Sequence, residues 1–308
     1  MKKAIVTGAN GFFGTALCRE LSQQGVEVTA LVRSDDSDVS GIKGLKGLKI
    51  ICCDMSKVYS LTDCKDCENA DAFFHFAWEG SAGVLRGDEN VQIDNIKYTM
   101  DALKLCKAIN CKRFVFAASI MEFEIMAAVE SNTGAGINNL YSAAKLSADY
   151  MTRILAQSLG VDYIRCIISN IYGPGEKSPR LINTSIRKLL AGEHCAFSPG
   201  EQLYDFIYAD DAAAAFAAAA KTGKTNTTYY IGSSPRPLKE YLLKMRDIVA
   251  PDAEIGLGEI NFSGVSLTYK EFDTNALKKD TGFENKISFE EGIKRTAEWI
   301  KETENGRI

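Results

Sequence analysis

Short apolar runs alternate with segments of helical period along the first half of the chain. Lys3–Thr7 is a β-branched run that ends at a glycine-rich turn. Gly14–Gln24 carries Leu17 and Leu21 on one helical face and stops at Gly25. Val26–Val32, Leu48–Cys53, Ala72–Ala77, Lys112–Ala118 and Val161–Ser169 read as further strands, and Glu89–Ile109 and Tyr141–Leu159 as long helices. Strands and helices that take turns in this way form βαβ units, hence a parallel sheet with helices on both faces.

The pattern changes after about Tyr172. Gly173-Pro174-Gly175 and Ser178-Pro179 punctuate the chain. Short strands are expected at Asp205–Tyr208 and Thr228–Ile231, between helices at Leu181–Ala191 and Asp210–Lys221. Alanine is the best helix former, so the alanine-rich second helix implies close helix packing. Residues 1–170 are therefore read as one α/β domain and 171–308 as a smaller α/β lobe, part of which returns to the first domain. Between them Glu124–Leu140, with Gly134-Ala135-Gly136, Asn138-Asn139 and Glu130, reads as a mobile loop over a pocket.

Composition narrows the class. The 308 residues carry a formal net charge of −4, which argues against a nucleic-acid partner. Ala4-Ile5-Val6 is too short for a signal-peptide core, and the longest apolar run, Ala212 to Ala220, is too short for a membrane span. Nine cysteines, an odd number, lie scattered in apolar segments and suit reduced thiols in a cytoplasmic protein. Cys52 and Cys53 are expected on opposite faces of a strand. Cys64 and Cys67 have no second pair of matching spacing, so no metal site is expected.

Four patterns carry chemistry. Gly8, Gly11 and Gly14 follow a strand and open a helix, where glycine allows a tight turn, close approach of the backbone to a pyrophosphate, and free helical N–H groups on the phosphates. Asn10, Phe12 and Phe13 share that turn. At the end of the next strand stands Arg33, where NAD sites usually place a carboxylate, so NADP(H) is favoured over NAD(H). Asp54, at the end of the third strand, is placed to reach an adenine edge. Tyr141 and Lys145 share a helix face at i and i+4, and a neighbouring cation would lower the phenol pKa and make Tyr141 a general acid/base for a carbinol–ketone interconversion. Ser119, at the end of the fifth strand, can hydrogen-bond the reacting oxygen.

Together these residues resemble the extended short-chain dehydrogenase/reductase family in its NAD-dependent epimerase/dehydratase branch. Phe74-His75-Phe76-Ala77, Asn95, Ser119, Tyr141 with Lys145, Asn170-Ile171-Tyr172-Gly173-Pro174-Gly175 and Tyr204-Asp205-Phe206-Ile207-Tyr208-Ala209-Asp210-Asp211 follow in the family's order. The resemblance implies a Rossmann domain with a doubly wound parallel sheet, and a C-terminal lobe that holds a nucleotide-diphosphate sugar. It implies that Met55, Phe76, Ala77 and Asn95 join the cofactor site, and that Lys145 binds the nicotinamide ribose. Trp78, Ser119, Asn170, Tyr204 and Arg236 are the implied substrate contacts, and a homodimer through a helix bundle the implied assembly.

Two departures bear on the reaction. Tyr204 replaces the family's diphosphate-binding Arg, leaving Arg180, Arg236 and Lys270 as substitute cations. Ile120-Met121 replaces the adjacent Asp-Glu pair of dehydratases, which argues against 4,6-dehydration, and Glu122 and Glu124 reshape the pocket. The expected function is NADPH-dependent reduction of a 4-keto-6-deoxysugar nucleotide. A 4-epimerase that retains NAD is the alternative, and a non-catalytic NADP-sensing protein a third reading from another class.

Overall fold

Strand β1 (Lys3–Thr7) is the pivot of the molecule, a buried β-branched run with one neighbour on each side. A computed structural model describes residues 1–130, 136–262 and 264–304. After β1 come α1 (Phe12–Gln23), β2 (Glu27–Val32), β3 (Leu48–Cys52), β4 (Ala72–His75), α2 (Glu89–Ala108), β5 (Arg113–Ser119), α3 (Met121–Glu130), α4 (Leu140–Leu159) and β6 (Asp162–Ile168). The chain continues through β7 (Asn170–Tyr172), α5 (Leu181–Leu190), β8 (Cys195–Phe197), β9 (Leu203–Tyr204), β10 (Phe206–Tyr208), α6 (Ala209–Thr222) and β11 (Thr227–Ile231). It ends in β12 (Arg236–Pro237), α7 (Leu238–Val249), β13 (Ile255–Leu257), α8 (Ala276–Thr281) and α9 (Phe289–Glu304).

Seven parallel strands form one sheet in the order β11-β6-β5-β4-β1-β2-β3. The order reverses direction at β1, the point where doubly wound sheets open a crevice at their carboxyl ends. Alternate residues along each strand feed two cores. Ala4, Val6, Phe74 and Val115 pack with α1 and the alanine-rich α6, while Ile5, Phe73, Phe114 and Phe116 pack with α2 and α4. Small residues let α6 come close: Ala212, Ala213, Ala215 and Ala219 are fully buried. A third apolar cluster, with Tyr172, Ile186, Phe206, Tyr241, Phe289 and Ile300, is built from residues after the sheet's sixth strand, although β11 returns to the sheet edge.

Several boundaries differ by a residue or two from the sequence reading, and two differ for evident local reasons. The fourth strand stops at His75 rather than Ala77, because the Phe76 and Ala77 amides donate to Thr7 Oγ1 instead of to a neighbouring strand. The segment expected to be a loop from Glu124 begins as helix α3, since Met121–Glu130 holds good helix formers and no breaker. Gly134-Ala135 lies outside the described residues. Cys52, the last residue of β3, is exposed, and Cys53, just beyond the strand, is buried. Among the described residues no helix is long and apolar enough to cross a membrane.

Candidate active site

The turn between β1 and α1 closes so tightly that side chains are excluded. Gly8 has φ +63°, and a Cβ on Gly14 would lie 2.1 Å from the Gly8 carbonyl oxygen. Gly11 caps α1 without a side-chain acceptor. The first helical amides, those of Phe12, Phe13 and Gly14, thus have no intrahelical partner. This turn forms one wall of a cavity of about 550 Å³.

Every residue expected to contact the cofactor lines that cavity. Besides Gly8, Asn10, Gly11, Phe12, Phe13 and Gly14 these are Arg33, Asp54, Met55, Phe76, Ala77, Asn95, Tyr141 and Lys145. Trp78 and Ser119 line it too. Several have structural partners that define where they stand. Arg33 pairs with Glu79 at 2.9 Å, in the open. Asp54 Oδ1 accepts the Ser56 amide and hydroxyl, which hold its carboxyl below the usual range. Asn95 exchanges two hydrogen bonds with the Glu79 backbone, at 3.0 and 2.8 Å, and so fixes the chain after β4. Phe13 stacks on Phe76 with ring centroids 4.7 Å apart.

A buried relay fixes the same loop from below. Thr7 Oγ1 accepts the Phe76 and Ala77 amides at 3.0 Å each, so its proton goes to His75 Nδ1 at 3.1 Å. His75 Nε2 must then carry hydrogen and donate to Thr99, whose hydroxyl donates to the Asn95 carbonyl. Burial lowers the His75 pKa to about 3, consistent with this neutral ring. Thr7→Val would leave two amides and a ring nitrogen unpaired. It is expected to cost about 3 kcal/mol or more, from ~1–3 kcal/mol for each of the three orphaned groups, and to lower Tm by several degrees. Thr7→Ser, which keeps the hydroxyl, should restore most of the loss in a thermal melt.

Ser119, Tyr141 and Lys145 meet at the far end of the cleft, at the carboxyl end of β5. Lys145 Nζ donates to the Ala117 carbonyl at 3.0 Å and lies 3.9 Å from the Trp78 ring centroid. Burial lowers its pKa to about 8. Ser119 hydrogen-bonds the Tyr141 phenol. The sequence led us to expect Lys145 to lower the phenol pKa. Instead burial raises it, and the cation that most opposes the rise is Arg86, whose guanidinium lies 4.2 Å from the Tyr141 ring centroid.

Three expected substrate contacts stand apart. Asn170, Tyr204 and Arg236 do not line the cavity but gather around buried Asp205. Asn170 Nδ2 donates to the Asp205 carbonyl at 3.0 Å, and Tyr204 pairs with Arg236 across β9 and β12. Arg236 lies 4.9 Å from the Tyr241 ring centroid. Of the three candidate diphosphate cations only Arg180 reaches the cavity, next to Glu176 at 3.1 Å. Arg86 and Glu79 escaped the sequence reading altogether. They lie between β4 and α2 in a stretch with no motif, and only the folded loop carries them to Tyr141 and Arg33.

A family model for the NAD dependent epimerase/dehydratase family matches residues 4–232. A dTDP-glucose 4,6-dehydratase of Shigella flexneri is 28% identical over 168 residues, which cover 52% of this chain and 46% of that protein. The chain thus spans about half the length of the curated relatives it matches. Among solved structures, a UDP-glucose 4-epimerase from Thermotoga maritima superposes with a TM-score of 0.80 at 19% identity, covering 98% of this chain and 99% of that one. A UDP-glucose 4-epimerase from Thermus thermophilus in complex with NAD gives 0.76 at 19% identity, covering 97% and 99%. At these identities the structural likeness shows the fold.

Proposed function

Since the chain belongs to the NAD-dependent epimerase/dehydratase family, we propose that it is an NAD(P)-dependent oxidoreductase of a nucleotide-diphosphate sugar, reducing a 4-keto-6-deoxysugar nucleotide with NADPH. The observation that carries this reading is one cavity lined by the glycine turn at one end and by Ser119, Tyr141 and Lys145 at the other. The cradle fits a dinucleotide, because the space that Cβ atoms at Gly8 and Gly14 would need is already closed and three helical amides open onto it. A nicotinamide bound there supplies or accepts the hydride.

The chain's own groups do the rest. The amides of Phe12, Phe13 and Gly14 bind pyrophosphate, Asp54 and Met55 border the adenine, and Lys145 holds the ribose. Ser119 orients the sugar carbonyl, and Tyr141 donates the proton to its oxygen. A phenol whose pKa burial has raised holds its proton at neutral pH, which is the state a reduction starts from. Arg180, the candidate cation that reaches the cavity, takes the diphosphate role in place of Tyr204. Ile120-Met121 stands where dehydratases of the family carry an adjacent Asp-Glu pair, so the dehydration named in the curated relatives is not proposed here.

Arg33 is the basis for NADPH. Its pair with Glu79 is exposed and worth about 0–1 kcal/mol, so a 2′-phosphate can displace the carboxylate at small cost. The 4-epimerase reading shares the same catalytic groups and rests on the epimerase structures to which the fold is similar. The two separate in one experiment: NADPH absorbance is followed with dTDP-, CDP- and GDP-4-keto-6-deoxysugars. Consumption supports the reductase. No consumption across the panel refutes it, and NAD retained through purification then favours the epimerase.

We also propose a homodimer through α2 and α4. Ile93 on α2 and Tyr150, Met151 and Ile154 on α4 form an exposed apolar stripe, with Ile93 61% and Ile154 67% exposed. Light scattering is expected to give twice the chain mass, and the double substitution Met151→Lys with Ile154→Lys to give the monomer. A parent protein that is already monomeric contradicts the dimer.

A further inference from the structure

Beneath the cleft floor the protein buries Lys145 together with three other charged side chains. Glu122 and Asp149 are fully buried, and Lys145 and Arg165 nearly so. Glu122 stands in the first turn of α3, Arg165 on β6, and Asp149 on α4 one turn beyond Lys145. Arg165 Nη2 donates to Glu122 Oε2 at 2.5 Å, and its Nε lies 2.8 Å from Asp149 Oδ2 as an ion pair. The other Glu122 oxygen, Oε1, accepts the Ser119 amide at 2.8 Å. Asp149 Oδ1 accepts the Tyr163 hydroxyl at 3.0 Å, and Arg153 reaches Asp149 from the rim at 3.3 Å.

Buried ion pairs contribute little net stability, since desolvation offsets their attraction. A cluster of this kind therefore invites a functional account. Lys145 supplies one, because its seat is apolar. Its ammonium touches the Ala117 carbonyl and the faces of Trp78 and Phe116, and among the described residues it has no carboxylate at ion-pair distance. We propose that Glu122 and Asp149, locked together by Arg165, are positioning residues that keep Lys145 charged in this seat, while Glu122 also fixes the backbone of Ser119. The inference rests on the reading of Lys145 as part of the active site.

The signs agree. Burial lowers Lys145 to about 8, and Glu122 and Asp149 are the two charges that resist the fall. The groups around Lys145 are Tyr141 and Asp149 on its own helix, Glu122 from α3, Arg165 from β6 and neutral His75 from β4. Arg86 and Glu124 face each other near Tyr141. Removing either carboxylate weakens the hold on the ammonium, and the under-compensated Arg165 then repels it as well. Both effects push Lys145 in the same direction.

Trp78 reports on this charge, because the ammonium lies against its ring, and the only other tryptophan is Trp299 on α9. In a Trp299→Phe background, Trp78 fluorescence is titrated from about pH 6 to about pH 10. A transition near pH 8 is expected, and it should vanish in Lys145→Met. Glu122→Gln and Asp149→Asn retain the oxygens that accept the Ser119 amide and the Tyr163 hydroxyl, while each removes a charge and turns an NH2 toward Arg165 in place of the second oxygen. Each is expected to move the transition down by about one pH unit. The alkaline limb of kcat/KM should move with it. An unmoved transition in either folded variant overturns the proposal, and so does a transition that persists in Lys145→Met. Failure of both isosteric variants to fold would assign the cluster to stability alone and overturn it too. A shifted transition in a protein without oxidoreductase activity would refute the catalytic reading and leave the cluster's hold on Lys145 standing.

Discussion

Tyr141→Phe is expected to lower kcat by about 10²–10⁴-fold while leaving dinucleotide affinity nearly unchanged. The substitution removes only the hydroxyl. The phenyl ring keeps its edge contact with Trp78, at 6.0 Å between centroids, and its place under the Arg86 guanidinium. Ser119 keeps its backbone position through Glu122. What disappears is the buried phenol at the carboxyl end of β5, which is protonated at neutral pH. Steady-state kinetics should show the loss in kcat, with KM for the nucleotide sugar within a few-fold of the parent. In the parent, activity should decline above about pH 8 as Lys145 loses its proton. A Tyr141→Phe enzyme with near-parent turnover would remove the phenol from the chemistry.

The second large effect belongs to the glycine turn. Gly14→Ala places a methyl group 2.1 Å from the Gly8 carbonyl oxygen and 2.9 Å from the Ala9 Cα. Both are backbone atoms of the turn and cannot rotate away, so the turn itself must open. The expected result is a stability loss of about 1–3 kcal/mol or more from overpacking, with dinucleotide affinity weakened by roughly 100-fold or beyond as the amides of Phe12, Phe13 and Gly14 leave the pyrophosphate. Gly11→Ala is the matched control. Its methyl group would meet only the Gly8 carbonyl oxygen, at 3.2 Å, and a loss of no more than about tenfold is expected. Calorimetric titration with NADPH distinguishes the two, and equal losses would mean that the turn is not read at atomic detail by the ligand.

These effects fall where the chain announces its structure most openly. The β1 turn is local: a β-branched run, three spaced glycines and an amphipathic helix, all within residues 3–23. Strand alternation likewise exposed the parallel sheet. What remained hidden depends on groups far apart in sequence. Nothing near Thr7 announces that its hydroxyl will end β4 by accepting the Phe76 and Ala77 amides. Arg86 sits in an unremarkable turn, yet it supplants Lys145 as the main cation acting on Tyr141. Asn170 and Arg236 carry polar groups that suggest ligands, and that Asn170 also donates to the Asp205 carbonyl while Arg236 lies by the Tyr241 ring appears only in the fold. The loop expected from Glu124 begins as α3, because helix propensity across Met121–Glu130 outweighs the glycines beyond it.

Glu122 illustrates the same limit from the other side. Its position after Ser119 marked it as unusual, but the meaning of the departure appears only with Arg165, 43 residues later on β6, and Asp149 on α4. A lone buried carboxylate there would be costly; a compensated one can set the charge of a neighbour.

The claim that one cleft joins a dinucleotide to Tyr141 for chemistry at a sugar carbon is tested most directly by isotope transfer. The protein is incubated with NADPH deuterated at the transferable position and a 4-keto-6-deoxysugar nucleotide, and the product is read by mass spectrometry and NMR. The expected result is a single deuterium at C4 of the sugar, formed by the parent and strongly reduced with Tyr141→Phe. A product without deuterium, or transfer that proceeds equally well in Tyr141→Phe, would contradict it.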